Sequence, residues 1–418
     1  MRALYVHLQV WAKNLFVFGK WVMYGGIVGV VVGSVASLFY FCIRWATDAR
    51  LASPWLLYLL PLGGVAIALS YHLFNMDTDR GTNRVLLAVR SEDSLCLPIA
   101  PLIFFGSVVT HLFGGSSGRE GAALQLGGSI AAGLGKWVRM DEKDMHLMTM
   151  CGMSAAFAAL FGTPLTSTLF AMEVISVGVM YYAAIVPCLT ASLVGLWIAS
   201  LWGVPATHYT LMGLVALEPI SILQVIFIGL CCAVISALFC IGMHQCTALY
   251  AKYFPNPMCR AAVGGMLVVL LTLLVGSQDY NGTGSAVITQ ALAGQAHPEA
   301  FFYKMVFTAL TLGAGYKGGE IVPAFFVGAT LGHLVATWIG LPSALGAALG
   351  LVGLFCGVTN CPITSFLLAL ELFGGTGLVF FAIVCAVTYM LSGYYGLYSG
   401  QKILYSKLKP EFINRKTE

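Results

Sequence analysis

The chain has 418 residues, of which 59% are hydrophobic and 9% charged, with a formal net charge of +4. Soluble domains carry roughly 25% charged residues, so this composition excludes a water-soluble enzyme and a nucleic-acid-binding domain. Most of the surface must meet lipid or other buried helices. The 12 cysteines are scattered through apolar runs without a CxxC pair. They read as small buried hydrophobes, and no disulfide, metal or cofactor is implied.

In chain order, Arg2, Lys13 and Lys20 precede the first long apolar run, with no small-residue cleavage site. Residues 1–20 are therefore expected to form an amphipathic segment on the cytoplasmic face, not a removable signal. Spanning helices are predicted near 21–45, 53–74, 95–113, 145–161, 180–203, 222–250, 261–276, 300–314, 343–358 and 376–395. Four further apolar runs, 120–135, 164–176, 321–336 and 362–373, are too short or broken to cross about 30 Å of hydrocarbon as straight helices. Each opens at Gly or Pro, or just after one. They are predicted to be half-helices meeting inside the membrane, where irregular backbone is tolerated only next to protein or a polar cavity. Short polar loops fall at 77–84, 141–144, 254–260 and 277–285. No strand-like alternation supports a β-barrel. The last segment, 401–418, carries Lys402, Lys407, Lys409, Arg415 and Lys416, which puts both ends in the cytoplasm by the positive-inside rule.

The order of motifs shows an internal repeat. Gly81-Thr82-Asn83 matches Gly282-Thr283-Gly284. Gly115, Gly118, Glu120 and Gly128 match Gly315, Gly318, Glu320 and Gly328. Pro164-Leu165-Thr166-Ser167 with Ala171 and Glu173 matches Pro362-Ile363-Thr364-Ser365 with Ala369 and Glu371. The three offsets are nearly equal, so the chain divides into halves of roughly 20–205 and 220–400. An odd number of spans per half inverts one against the other. Inverted repeats with broken helices place a transport site near the bilayer midplane. The expected fold is an all-α polytopic membrane protein.

Four carboxylates, Glu120, Glu173, Glu320 and Glu371, lie inside apolar regions as two repeat-related pairs. Buried ionisable groups in membranes point to function by default. Gly114 to Ala122 frames Glu120 with glycines that let successive N–H groups face one concavity. A helix beginning near Glu120 offers unpartnered amides and a positive dipole end, which together bind anions. Gly315 to Pro323 aims a second N-terminus at the same place, and Gly81-Thr82-Asn83 a third, with a hydroxyl donor. An ionised Glu120 then competes with a free anion for the site, and a protonated one gives way. The plainer alternative is that Glu120 pairs with Arg119 and pins a loop. Glu320 either carries the proton inward or caps its half-helix and pairs with Lys317. Glu173 and Glu371 read as helix-end hydrogen-bonding residues.

Gly118-Arg119-Glu120-Gly121, then Gly318-Gly319-Glu320-Ile321-Val322-Pro323, and Leu397-Tyr398-Ser399 near the end resemble the CLC chloride channels and proton/anion antiporters. The resemblance covers roughly residues 20–405. It implies the CLC-type inverted repeat, a homodimer with one pore per subunit, and Glu120 as the external gating glutamate. It also implies anion contacts from the backbone near Gly118, Arg119 and Gly121 and at Ile321 and Val322, with Thr82 at the serine-loop position and Tyr398 as the inner-gate tyrosine.

The departures are informative. Gly81-Thr82-Asn83-Arg84-Val85 lacks the usual Ser-Gly-Ile-Pro, Ala122 replaces a proline, Val174 stands at the internal proton glutamate, and Glu320 is an acid where chloride members carry an apolar residue. This set resembles the fluoride branch, the bacterial fluoride/proton antiporters of the inner membrane. The expectation is a proton-coupled fluoride exporter; a chloride-selective antiporter or channel is the alternative. A remote alternative is an intramembrane serine protease, from Gly115-Ser116-Ser117-Gly118 with Ser117 as nucleophile and His333 as base.

Overall fold

A computed structural model describes residues 2–418. The described residues form two sets of eight α-helices. In the first, α1 (Arg2–Ala52) leads through a 3₁₀ turn at Pro54–Leu59 into α2 (Leu60–Leu73). Then follow α3 (Thr82–Val89), α4 (Ile99–Leu112), α5 (Glu120–Trp137), α6 (Glu142–Phe161), α7 (Pro164–Glu173) and, after the two-residue strand β1 (Ser176–Val177), α8 (Ile185–Leu201). The second set comprises α9 (Pro219–Tyr253), α10 (Pro257–Val275), α11 (Ser285–Leu292), α12 (Ala300–Gly313), α13 (Ile321–Ile339), α14 (Ser343–Thr359), α15 (Pro362–Phe373) and α16 (Leu378–Leu391). Strands β2 (Lys402–Tyr405) and β3 (Phe412–Lys416) close the chain.

Local chemistry sets many of these boundaries. Asp141 caps α6 by accepting from the Asp144 amide at 2.8 Å, and Gly162 ends it at φ +78°. Asn256 caps α10 through the amides of Met258 and Cys259, and Gly276 ends it at φ +72°. Proline opens α7, α9, α10 and α15, where its missing N–H costs nothing.

The second set is inverted relative to the first, and α7 and α15 show it directly. The Glu173 carboxylate at the end of α7 accepts from the amides of Ile363 (3.2 Å) and Thr364 (2.8 Å) at the start of α15. Glu371 near the end of α15 accepts from Leu165 (2.9 Å) and Thr166 (2.8 Å) at the start of α7. Each half-helix caps the other, so the two run antiparallel. These are the helix-end roles expected for Glu173 and Glu371.

α6 and α14 are buried along most of their length and form the centre of the molecule. They cross α5 and α13 at glycines. The Cα of Gly152 packs on the Gly127 carbonyl, and the Cα of Gly350 on the Gly328 carbonyl, with no room for a Cβ. Small residues at such crossings let backbones touch, which is how helices gain van der Waals contact without help from water.

Two departures from the sequence reading concern the ends. Residues 2–20 are not set apart from the first span: they continue α1 as one 51-residue helix, with Trp11, Leu15 and Phe16 exposed. Residues 402–416, expected only as a basic end segment, form two strands. β2 pairs parallel with β1 and antiparallel with β3, a three-stranded sheet that the sequence reading missed. Contacts of Lys20 with Asp144, Ser91 with Glu142, and Glu92 with Arg90 (3.1 Å) and Lys402 (2.6 Å) place the start of the first span on the same face as this sheet.

Candidate anion site

The four glycines around the two buried motifs bring the halves into contact. Gly118 and Gly319 form an isolated antiparallel bridge, each amide donating to the other's carbonyl at 2.7 Å. A Cβ on Gly319 would stand 2.5 Å from the Gly121 nitrogen and 2.9 Å from that of Glu120. Only glycine permits this approach, which sets the N-termini of α5 and α13 face to face. The first-turn amides of Gly121, Ala122, Ile321 and Val322 have no carbonyl one turn earlier to receive them. These residues are all buried.

Glu120 is the first residue of α5 and is fully buried. Its Oε2 accepts from the Arg119 amide at 2.9 Å, and its Oε1 lies 3.3 Å from Arg119 Nε. The Arg119 guanidinium stacks 4.8 Å from the Tyr40 ring centroid. The pairing with Arg119 weighed above is therefore present, and it holds the carboxylate over the helix N-terminus. A Cβ on Gly118 would be 2.5 Å from Oε2, so the carboxylate lies directly against the bridge.

Glu320 is the N-cap of α13 and is only partly buried. Its Oε2 has no hydrogen-bond partner among the described residues. It flanks Gly121 together with Thr82 Oγ1, each 3.0 Å from where a Gly121 Cβ would stand. Lys317 does not pair with it. The Lys317 ammonium lies 3.5 Å from Asp79 and 4.1 Å from the Tyr71 ring centroid. Asp79 also accepts from Gln125 Nε2 at 2.9 and 3.1 Å. Asp79, Gln125, Lys317, Thr82 and Glu320 line one cavity of about 400 Å³, with Leu397 and Ser399 also at its wall. Sequence reading overlooked Asp79 and Gln125, because their partners are distant in the chain.

Thr82 opens α3 behind Gly81, whose φ is +60°. Its hydroxyl donates to the Gly121 carbonyl at 3.1 Å and is not a free donor. The Gly118 amide is likewise occupied by the bridge. Tyr398 is 1% exposed, and its hydroxyl has no partner among the described residues. Val174 is buried, with its carbonyl accepting from Gln401 Nε2 at 2.9 Å.

The serine-protease alternative fails on geometry. Ser117 Oγ is buried against Gly318 without a hydrogen-bond partner among the described residues. His333 lies instead in a separate cavity with Tyr280 and His297.

Residues 63–393 match the family described as voltage gated chloride channel. The chain is 36% identical over 395 residues to a chloride/fluoride channel protein of Pseudomonas syringae pv. tomato, covering 93% of this chain and 87% of that one. It superposes on a CLC-type fluoride/proton antiporter with a TM-score of 0.89 at 33% identity, covering 92% of this chain and 98% of that one. A slow cyanobacterial Cl⁻/H⁺ antiporter shares the fold, with a TM-score of 0.76 at 20% identity over 89% of this chain and 94% of the other.

Proposed function

The chain belongs to the voltage-gated chloride channel family, the CLC proteins, and on that footing we propose that it exports fluoride across a bacterial inner membrane in exchange for protons. The observation that carries this reading is the pair of glutamates around Gly121. Glu120 sits sealed at the facing helix ends, and Glu320, its Oε2 without a partner among the described residues, lines the cavity it shares with Asp79 and Lys317.

Ionised, Glu120 fills the place of a free anion over the first-turn amides. Protonated from outside, it loses that attraction and yields the site. Fluoride is small and strongly hydrated, so strong donors must replace its water. The amides of Gly121, Ala122, Ile321 and Val322 and the Tyr398 hydroxyl are such donors. Gly118 and Arg119 shape the turn, with their own amides engaged. Glu320 takes the proton onward, replacing the acid missing at Val174. Because Lys317 is held by Asp79, no cation pins Glu320 in its charged form.

Lys20, Arg84, Arg90, Lys136 and Lys402 meet Asp144, Asp93, Glu92 and Leu95 on the tail-bearing side, and this gathering of basic residues supports a cytoplasmic location for that side. The site is built from one chain, so each subunit of a homodimer works alone. A chloride-selective antiporter or channel is the second reading. It rests on Thr82 as a hydroxyl donor, and that hydroxyl is turned to Gly121.

The test uses purified protein in liposomes loaded with fluoride or chloride, with anion efflux followed by electrode and internal pH recorded together. Fluoride efflux well above chloride efflux, with proton uptake that Glu120→Gln abolishes, supports the exporter. Equal or faster chloride efflux supports the second reading, and anion flux without proton movement makes the protein a channel.

A further inference from the structure

Tyr398 lies in a stretch, 394–401, with no regular helix or strand, so its position is set by other segments. The Leu397 amide donates to the Val358 carbonyl on α14 at 2.9 Å. The Gly400 amide donates to Asn83 Oδ1, one residue past Thr82, at 2.8 Å. Gln401 Nε2 donates to the carbonyls of Val174 (2.9 Å) and Thr359 (2.8 Å), and Gln401 Oε1 accepts from Asn360 at 3.0 Å.

The Tyr398 carbonyl itself accepts twice: from the Gln401 amide at 2.8 Å and from Thr417 Oγ1 at 2.6 Å. Thr417 is buried and immediately follows β3. Its neighbour Glu418 closes the contact, its amide donating to Tyr394 O (3.0 Å) and its carbonyl accepting from Gly396 N (3.2 Å). The turn between β2 and β3 is anchored too: Lys407 reaches Asn360 and Ser392 (3.0 Å) and lies 4.8 Å from the Tyr389 ring centroid. The backbone of Tyr398 is thus held from many directions, while its buried hydroxyl is left without a partner.

We propose that residues 412–418 are a working part of the inner gate, with Thr417 as the positioning residue that aims the Tyr398 hydroxyl along the anion path. This rests on the function proposed above and deepens it. A segment that only packed against the helices would contribute stability alone. A hydrogen bond to the carbonyl of the gating residue fixes the peptide plane next to its side chain, so its loss lets that plane and the hydroxyl shift. The consequence is leak: anions pass without a matching proton, and the discrimination that depends on a fixed donor relaxes.

The experiment reads protons per fluoride and the fluoride-to-chloride flux ratio in liposomes for Thr417→Val, Thr417→Ser and Tyr398→Phe. Thr417→Val is expected to lower both by about fivefold, the order that one lost hydrogen bond supplies, and Thr417→Ser to restore both. Unchanged values in Thr417→Val, while Tyr398→Phe shifts either one, overturn the clamp and leave the exporter reading standing. No effect from either variant removes Tyr398 from the gate, and the clamp with it, whereas the exporter itself is judged separately by Glu120→Gln. Should Thr417→Val not fold, Thr417→Ala removes the same hydroxyl from a smaller side chain. A lowered coupling ratio in that variant supports the clamp, and an unchanged one overturns it.

Discussion

Glu120 and Glu320 stand on either side of Gly121 with unlike surroundings: one sealed beside Arg119, the other partly open to a polar cavity. Glu320→Gln keeps the size and removes the titrating group. It should leave fluoride efflux within about threefold while proton uptake falls by about tenfold or more, read as paired anion and pH traces. Equal losses of both fluxes would return Glu320 to a capping role. Thr82 separates the two anion readings at the same scale. Its hydroxyl already serves the Gly121 carbonyl, so Thr82→Val should cost about 1 kcal/mol of stability and leave the fluoride-to-chloride ratio unchanged. A collapse of that ratio would show that the hydroxyl meets the anion.

The half-helices α7 and α15 hold together by exchanging glutamates, each carboxylate satisfying helix-start amides of the other repeat, with the Glu173 end buried. Removing one leaves those amides stranded. Glu173→Ala should lower stability by about 2–4 kcal/mol, as for buried hydrogen bonds to a charged group, measured as a drop in the thermal midpoint in detergent. Glu371→Ala should cost less, because Leu165 at that end is 43% exposed and water can replace part of the loss. The glycine crossings are the other element-scale constraint. Gly152→Ala drives a methyl into the Gly127 carbonyl, and overpacking of that kind costs about 1–3 kcal/mol or more.

At the scale of the whole molecule, orientation and tail docking are both open to measurement. Cys259 is an exposed cysteine at the start of α10, on the tail-bearing side. A membrane-impermeant maleimide should label it in inverted vesicles and not in intact cells; the reverse result would turn the topology over. Tail docking should depend on pH through Lys407. Burial pushes its ammonium down to about 8 from an ordinary 10.5, and the thiols of Cys240, Cys356 and Cys361 face it. Between those values the docked tail binds fewer protons than the released one, so docking strengthens as pH rises. Limited proteolysis of residues 402–418 should therefore be slower at pH 9.5 than at pH 7, and Lys407→Met should flatten the difference. Glu92 works at the other extreme. Hydrogen bonds from Lys402 and Arg90 hold its carboxyl below its ordinary value, so its contribution is present at neutral pH and lost as pH falls through that lowered value.

The order of helices, the short α7 and α15, the repeat and the two glutamates were legible because each depends on neighbours close in the chain; α13 departs from the reading, being 19 residues and apolar enough to cross a membrane where a half-helix was expected. Hydrocarbon thickness sets a length, Gly and Pro mark breaks, and a charged residue in an apolar run is conspicuous. Of the two eight-residue helices, α3 shows in the sequence only as a helix start at Gly81-Thr82-Asn83 and α11 not at all, being too short for a periodic signal and lying beside polar loops. Long-range pairing was invisible for a different reason. Lys317 lies three residues from Glu320 yet turns to Asp79, the Thr82 hydroxyl goes to Gly121, and the tail reaches Tyr398 only through a sheet joined to β1. Which residues carry charge and where helices must break are local properties of the chain. Which of those groups stay unpaired at the site follows only from folding, because it depends on contacts between segments as many as 200 residues or more apart.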